Sequence, residues 1–220
     1  MIDHIVRLQP TRVLDIGPGY GKWGFLVREA LDFMPGRLAP ERWQVTIDGV
    51  DAFPYASPIL DWVYDKVTLG SALDVVDGLR GYDLVILGDV IEHFEKRDGF
   101  RLLRALLAHN KNVLISTPFD FFEQEIADNP YEQHLSCWCE ADFSEWPVDY
   151  DVVGGSMIVV LLSGKGATIP SLAEARASHL VYSMPGMARR GALAKSSKKA
   201  LARLNAVLGR PAASTGTTRA

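Results

Sequence analysis

The run Val13-Leu14-Asp15-Ile16-Gly17-Pro18-Gly19-Tyr20-Gly21-Lys22 constrains this chain more than any other segment. An apolar stretch ends in an acid, three glycines follow at a spacing of two, and a helical pattern then begins. A parallel strand that stops in a tight glycine turn and feeds a helix builds a nucleotide-binding crevice. Glycine permits positive φ and lets backbone approach a ligand closely. Strand and helix patterns alternate beyond this unit. Strands are expected over 12–16, 45–50, 66–69, 82–87 and 113–116, and helices over 20–34, 55–63, 71–79 and 96–109, with a short leading helix over 2–9. Two β-rich runs, 148–153 and 157–162, flank Gly154-Gly155 and predict a closing antiparallel pair. The expected fold class is therefore α/β: a Rossmann-like, seven-stranded, mostly parallel sheet with helices on both faces and an antiparallel final strand pair.

The acid at the strand tip selects the ligand. A carboxylate at position 15 repels a pyrophosphate and pairs with an ammonium group. The dinucleotide fingerprint also wants Gly or Ala one place after Gly21, where this chain has Lys22. The segment therefore reads as a site for S-adenosylmethionine and not for a nicotinamide nucleotide. Three further features fall at expected strand ends. Asp51 closes Gly49-Val50-Asp51 and can accept both ribose hydroxyls. Its distance from the glycines is longer than usual, because a Pro- and Gly-marked loop over 35–40 intervenes; Asp48 is a rival that precedes the strand tip. Gly70-Ser71-Ala72 offers backbone N–H groups and a hydroxyl to an adenine edge. Gly88-Asp89-Val90-Ile91-Glu92-His93 follows the fourth strand.

Together Leu14-Asp15-Ile16-Gly17-Pro18-Gly19-Tyr20-Gly21, Gly49-Val50-Asp51, Asp89-Val90-Ile91-Glu92-His93 and Val113-Leu114-Ile115-Ser116-Thr117-Pro118 resemble a class I S-adenosylmethionine-dependent methyltransferase, over residues 10–162. The resemblance implies that Asp15 lies near the methionine amino group, that Gly17, Gly19 and Gly21 form the cofactor turn, and that Asp51 holds the ribose. It implies that Ser71 and Ala72 face adenine and that Asp89 lies near the sulfonium end. Many relatives carry an acid where this chain has Ser71. A narrower likeness, Asn129-Pro130-Tyr131-Glu132-Gln133-His134-Leu135-Ser136-Cys137-Trp138 followed by Ala141-Asp142-Phe143, resembles a bacterial subgroup associated with sugar and glycan modification.

Transfer to an alcohol needs a positioned base, and histidine suits that task near neutral pH. His134, in a long loop after the fifth strand, is the favoured base. His93, beside Glu92, is the other candidate, with a supporting role turned towards that carboxylate as its alternative. Asp89 and Glu92 could bind Mg²⁺ together, but a helix-capping role is preferred for them. A zinc cluster of His134, Cys137 and Cys139 lacks the remaining ligands of a closed site, so no metal ligands are assigned. Two nearby cysteines, no apolar run near the ~20 residues of a membrane span and no signal-like N-terminus make the cytoplasm the expected location.

Charge divides the chain. Residues 166–220 carry nine Lys/Arg and one acid, so residues 1–165 carry the remaining 14 bases and 26 acids. The expected organisation is a catalytic domain over 1–165 and a basic, partly helical tail over 166–220, with Leu and Lys on opposite faces of a helix over 188–208. That tail could pack on the core or on a second copy in a homodimer, touch an anionic membrane surface, or contact nucleic acid. The leading expectation is an enzyme methylating a hydroxyl of a sugar, glycan or related small metabolite. A nucleic-acid methyltransferase and a non-catalytic cofactor-binding protein are the alternatives. The Asn/Asp-Pro-Pro-aromatic run of base methylation is missing after the fourth strand, which makes nucleic acid the less favoured partner.

Overall fold

The computed structural model describes residues 1–167 other than 125, 127, 154 and 165. The basic helix expected over 188–208 lies outside the described residues. Seven strands form one sheet in the order β3-β2-β1-β4-β5-β7-β6. They are β1 (Arg12–Ile16), β2 (Thr46–Asp51), β3 (Lys66–Leu69), β4 (Leu84–Gly88), β5 (Asn112–Pro118), β6 (Val148–Val153) and β7 (Met157–Ser163). The first five run parallel, whereas β7 pairs antiparallel with both β5 and β6. This is the expected architecture.

Period-two alternation splits the core between two faces of the sheet. Leu14, Ile16, Val85, Leu87, Val113 and Ile115 join one apolar cluster, with Leu102, Leu103 and Leu106 of helix α5 (Lys96–His109). Val13, Leu84, Ile86, Ile47 and Leu114 join the other. Its helical partners are Ile5 of α1 (Ile2–Leu8), Val27 of α2 (Lys22–Arg28) and Val63 of α3 (Pro58–Val63). Strands buried on both faces read as continuous apolar runs, which is why β4 and β5 stand out in the sequence.

Three local expectations change. The single helix expected over 20–34 starts only at Lys22, capped by Gly21 at φ 92°, and becomes π-helical over Glu29–Phe33. In those widened turns Asp32 is fully buried and accepts hydrogen bonds from Arg28 (2.8 Å), Arg37 (2.8 Å) and the Gln44 amide (2.9 Å). Helix α3 is shorter than expected because Ser57, in extended conformation, caps it and Pro58 occupies its first turn. The expected helix over 71–79 divides into α4 (Ala72–Val75) and a 3₁₀ turn over Val76–Gly78.

The neighbours β1 and β4 mark the reversal of strand order, and such sheets open a crevice there, outside the carboxyl ends of the strands. Among the described residues, no helix is long and apolar enough to cross a membrane.

Candidate active site

The crevice is a cleft lined by the turns that leave β1, β2, β3 and β4. Gly17, Gly19, Asp51, Ser71, Ala72, Asp89 and His93 all line it. Four other expected site residues do not. Gly21 caps α2, where a Cβ would meet Ile59 at 2.6 Å. Asp15 lies fully buried beneath the glycine turn, and Glu92 and His134 are buried next to His93.

The glycine turn is steric in origin. Gly17 has φ +67°, and a Cβ there would lie 2.5 Å from Val90, which also lines the cleft. Gly19, at φ +55°, donates its amide to Asp51 Oδ2 at 3.0 Å. Asp51 Oδ1 accepts from the Phe53 amide at 2.9 Å. These bonds aim the carboxylate across the mouth of the turn. Burial still raises the Asp51 pKa, against these backbone bonds.

Asp15 has only one satisfied oxygen. Its Oδ2 accepts from the Tyr64 hydroxyl at 2.6 Å, and that hydroxyl accepts from the Gly24 amide at 3.0 Å. Oδ1 is buried with no hydrogen-bond partner among the described residues. Desolvation pushes the Asp15 pKa up to about 7. An unpartnered buried carboxylate oxygen under the turn favours a cationic ligand over a phosphate.

Asp89 adopts φ 61°, a left-handed conformation rare outside glycine. Its Oδ1 accepts from Ser116 at 2.9 Å, and Lys22 Nζ lies 3.5 Å from Oδ2. Glu92 accepts from the Thr117 hydroxyl at 2.9 Å. The helix-capping role preferred for Asp89 and Glu92 is therefore corrected: both carboxylates are bound by hydroxyls at the end of β5, and α5 is capped at Glu95 without a side-chain bond. Burial pushes the Glu92 pKa up to about 7.

The long loop after β5 is tied to this turn. The Leu135 and Ser136 amides both donate to the Glu92 carbonyl (2.8 and 3.1 Å), and the Trp138 indole donates to the Ile91 carbonyl at 3.2 Å. His134 and His93 consequently face each other with ring centroids 5.1 Å apart. His93 Nδ1 bonds the Gln133 carbonyl at 3.1 Å, and His134 Nδ1 bonds the Phe122 carbonyl at 3.0 Å. A carbonyl can only accept, so both Nδ1 atoms carry a proton, and the neutral form of each ring holds its lone pair on Nε2. His93 is thus turned towards Gln133 and, through Nε2 at 3.9 Å, towards Glu132. Desolvation lowers the His134 pKa, with the nearby His93 acting in the same direction.

Sequence reasoning missed one part of the wall. Tyr55, Asn129 and Glu132 line the cleft and bind one another: Asn129 Nδ2 donates to the Tyr55 hydroxyl at 2.8 Å, and that hydroxyl donates to Glu132. Glu132 adds another carboxylate to a cleft that already holds Asp51 and Asp89. The Asn129–Glu132 segment was visible as a motif, but its meeting with Tyr55 spans 74 residues and left no local signal.

A family described as Methyltransferase domain matches residues 3–147. The chain belongs to this family, among the class I S-adenosylmethionine-dependent methyltransferases, and its cofactor is S-adenosylmethionine. The fold of this methyltransferase-family chain recurs in solved structures. An O-methyltransferase family protein from Burkholderia thailandensis shares 16% identity at a TM-score of 0.50, over 76% of this chain and 56% of its own. The small RNA methyltransferase HEN1 shares 19% identity at 0.52, over 77% and 25%. The N,N-8-amino-8-demethyl-D-riboflavin dimethyltransferase RosA from Streptomyces davawensis shares 19% identity at 0.51, over 71% and 50%. The chain thus spans about half the length of the first protein and a quarter of the second. At these identities the likeness carries the fold alone. No curated protein matches the sequence.

Proposed function

We propose that this protein transfers a methyl group from S-adenosylmethionine to a hydroxyl of a sugar, glycan or related small metabolite. The observation that carries the reading is the meeting, in one cleft, of a cation-favouring glycine turn with the His93 imidazole, which the buried His134 backs. In this reading Asp51 accepts the ribose hydroxyls, Ser71 and Ala72 border the adenine, and the buried Asp15 and the half-exposed Asp89 offer carboxyl groups near the amino acid end. The cofactor, when bound, supplies an electrophilic methyl group on a sulfonium.

The chain's own residues then act on the acceptor. An alcohol is a weak nucleophile until its proton leaves. The Glu92–His93–His134 cluster is the group that activates it. His93, on the cleft wall, is the imidazole that meets the acceptor, and His134 backs it; His134 remains the rival base. As the acceptor oxygen forms its bond to the methyl carbon, the carbon–sulfur bond breaks and the hydroxyl proton passes to the lone pair of an imidazole Nε2. The products are a methyl ether and a neutral thioether. Exposed Phe121, Phe122 and Tyr131 on the loop after β5 suit the apolar face of a sugar ring, and Asn129 and Glu132 suit its hydroxyls.

The test is tritium transfer from labelled cofactor to a panel of mono- and oligosaccharides and small hydroxylated metabolites, beside RNA and DNA. Label in a saccharide or small alcohol is expected, lost in His93→Ala while S-adenosylhomocysteine binding persists. Label in nucleic acid, or in none of the panel despite cofactor binding, overturns the assignment.

A further inference from the structure

Glu92, His93 and His134 come from two separate segments, the turn after β4 and the loop after β5. One potential ligand atom from each lies within 4.8 Å of the other two. A metal–nitrogen bond is about 2.1 Å, so tetrahedral ligand atoms lie about 3.4 Å apart. Closing 4.8 Å to that spacing moves each side chain by about 0.7 Å, which rotamer adjustment supplies.

A second observation is independent of that proximity. Each imidazole donates its Nδ1–H to a backbone carbonyl, Gln133 for His93 and Phe122 for His134. Glu92 is likewise oriented by the Thr117 hydroxyl. Metal-binding histidines are held in this way, with the far ring nitrogen fixed by a carbonyl and the near one left as a lone pair. A buried and a half-buried imidazole beside a buried carboxylate make a poor apolar core and a good ligand set.

We propose that Glu92, His93 and His134 bind one divalent transition-metal ion at the acceptor end of the cleft. Two imidazole nitrogens and one carboxylate suit Zn²⁺, Co²⁺ or Mn²⁺ better than Mg²⁺, which prefers oxygen ligands and its own waters. Three protein ligands leave a position open on a four- or five-coordinate ion, and His93 borders the cleft on that side. On the reading that the acceptor is an alcohol, its oxygen takes the open position. Its proton then goes to Glu132, whose Oε2 lies 3.9 Å from His93 Nε2. The oxygen keeps its electron pair and attacks the methyl carbon, and the metal does not change oxidation state. With the ion bound, the histidines serve as ligands and Glu132 as the proton acceptor.

Co²⁺ uptake by the full chain after chelator treatment tests the site. One Co²⁺ per chain is expected, with the visible absorption of a four- or five-coordinate ion. His93→Ala and His134→Ala should each weaken it by more than the roughly 10–100-fold typical of outer-shell changes. A Cys137→Ser/Cys139→Ser control should keep full uptake. S-adenosylhomocysteine titration of each variant reports that the cleft is folded; if His134→Ala loses it, His93→Ala decides. Unchanged uptake in the folded histidine variants, loss of uptake in the cysteine control, or no uptake by the wild type overturns the site. Stoichiometric Co²⁺ that depends on the histidines, without methyl transfer to any alcohol, upholds the metal site and overturns only the acceptor assignment.

Discussion

Asp15 makes the apo protein sensitive to pH in a calculable way. Its carboxyl is fully buried, one oxygen has no partner, and its pKa rises from 3.8 to about 7. Between these values the folded chain keeps the proton that the unfolded chain has lost. The stability associated with this proton is fully present below about pH 4 and disappears as pH rises through 7. Three pKa units at 1.36 kcal/mol each amount to about 4 kcal/mol over the whole window, and to roughly 2–3 kcal/mol between pH 5 and pH 8. Asp15→Asn preserves an acceptor for the Tyr64 hydroxyl and never ionises. The assay is urea unfolding of wild type and variant, without cofactor, at both pH values. The variant should gain roughly 2–3 kcal/mol on the wild type between pH 5 and pH 8. Saturating S-adenosylhomocysteine should narrow that gap at pH 8, because its ammonium favours a carboxylate over an amide. A stability difference independent of pH refutes the reasoning, since it would mean that the acid is already charged or already neutral in both states.

Other perturbations test the rest of the site. Asp51→Ala should weaken S-adenosylhomocysteine binding by more than tenfold in calorimetry, about 1.4 kcal/mol or more; unchanged affinity removes this carboxylate from the ribose. Gly88→Ala would set a Cβ 1.8 Å from the Trp23 indole nitrogen, so the variant should lose roughly 1–3 kcal/mol of stability in denaturant unfolding. Adding Trp23→Ala should recover part of that loss, and a Gly88→Ala protein as stable as wild type contradicts the packing. His93→Ala should spare cofactor affinity while abolishing turnover in the label-transfer assay; full turnover in that variant moves activation to His134.

Much of this was readable in the chain before its structure. β1, β4 and β5 are buried on both faces, so their apolar runs announce themselves, and the acids that end or follow strands were visible as interruptions of those runs. Helix α5 was bounded to the residue, since its Leu spacing carries a 3.6-residue period. What local pattern could not carry was the partner of each polar group. The Tyr64 hydroxyl that occupies Asp15 lies 49 residues away, and Tyr55 meets Asn129 across 74. The π-helical turns at Glu29–Phe33 depend on Asp32 finding Arg28, Arg37 and Gln44 in the interior. His93 and His134 were both singled out, but their convergence with Glu92 depends on how the loop after β5 folds back. That return is made by backbone bonds from Leu135 and Ser136 to Glu92, which any side chains could form.

A crystal structure of the complex with S-adenosylhomocysteine tests the central claim most directly. The account predicts adenosine in the cleft beyond β1–β4, both ribose hydroxyls on Asp51, the adenine beside Ser71 and Ala72, and the ammonium above the turn that covers Asp15. Adenosine bound outside this cleft, or an Asp51 carboxylate free of the ribose, would contradict it.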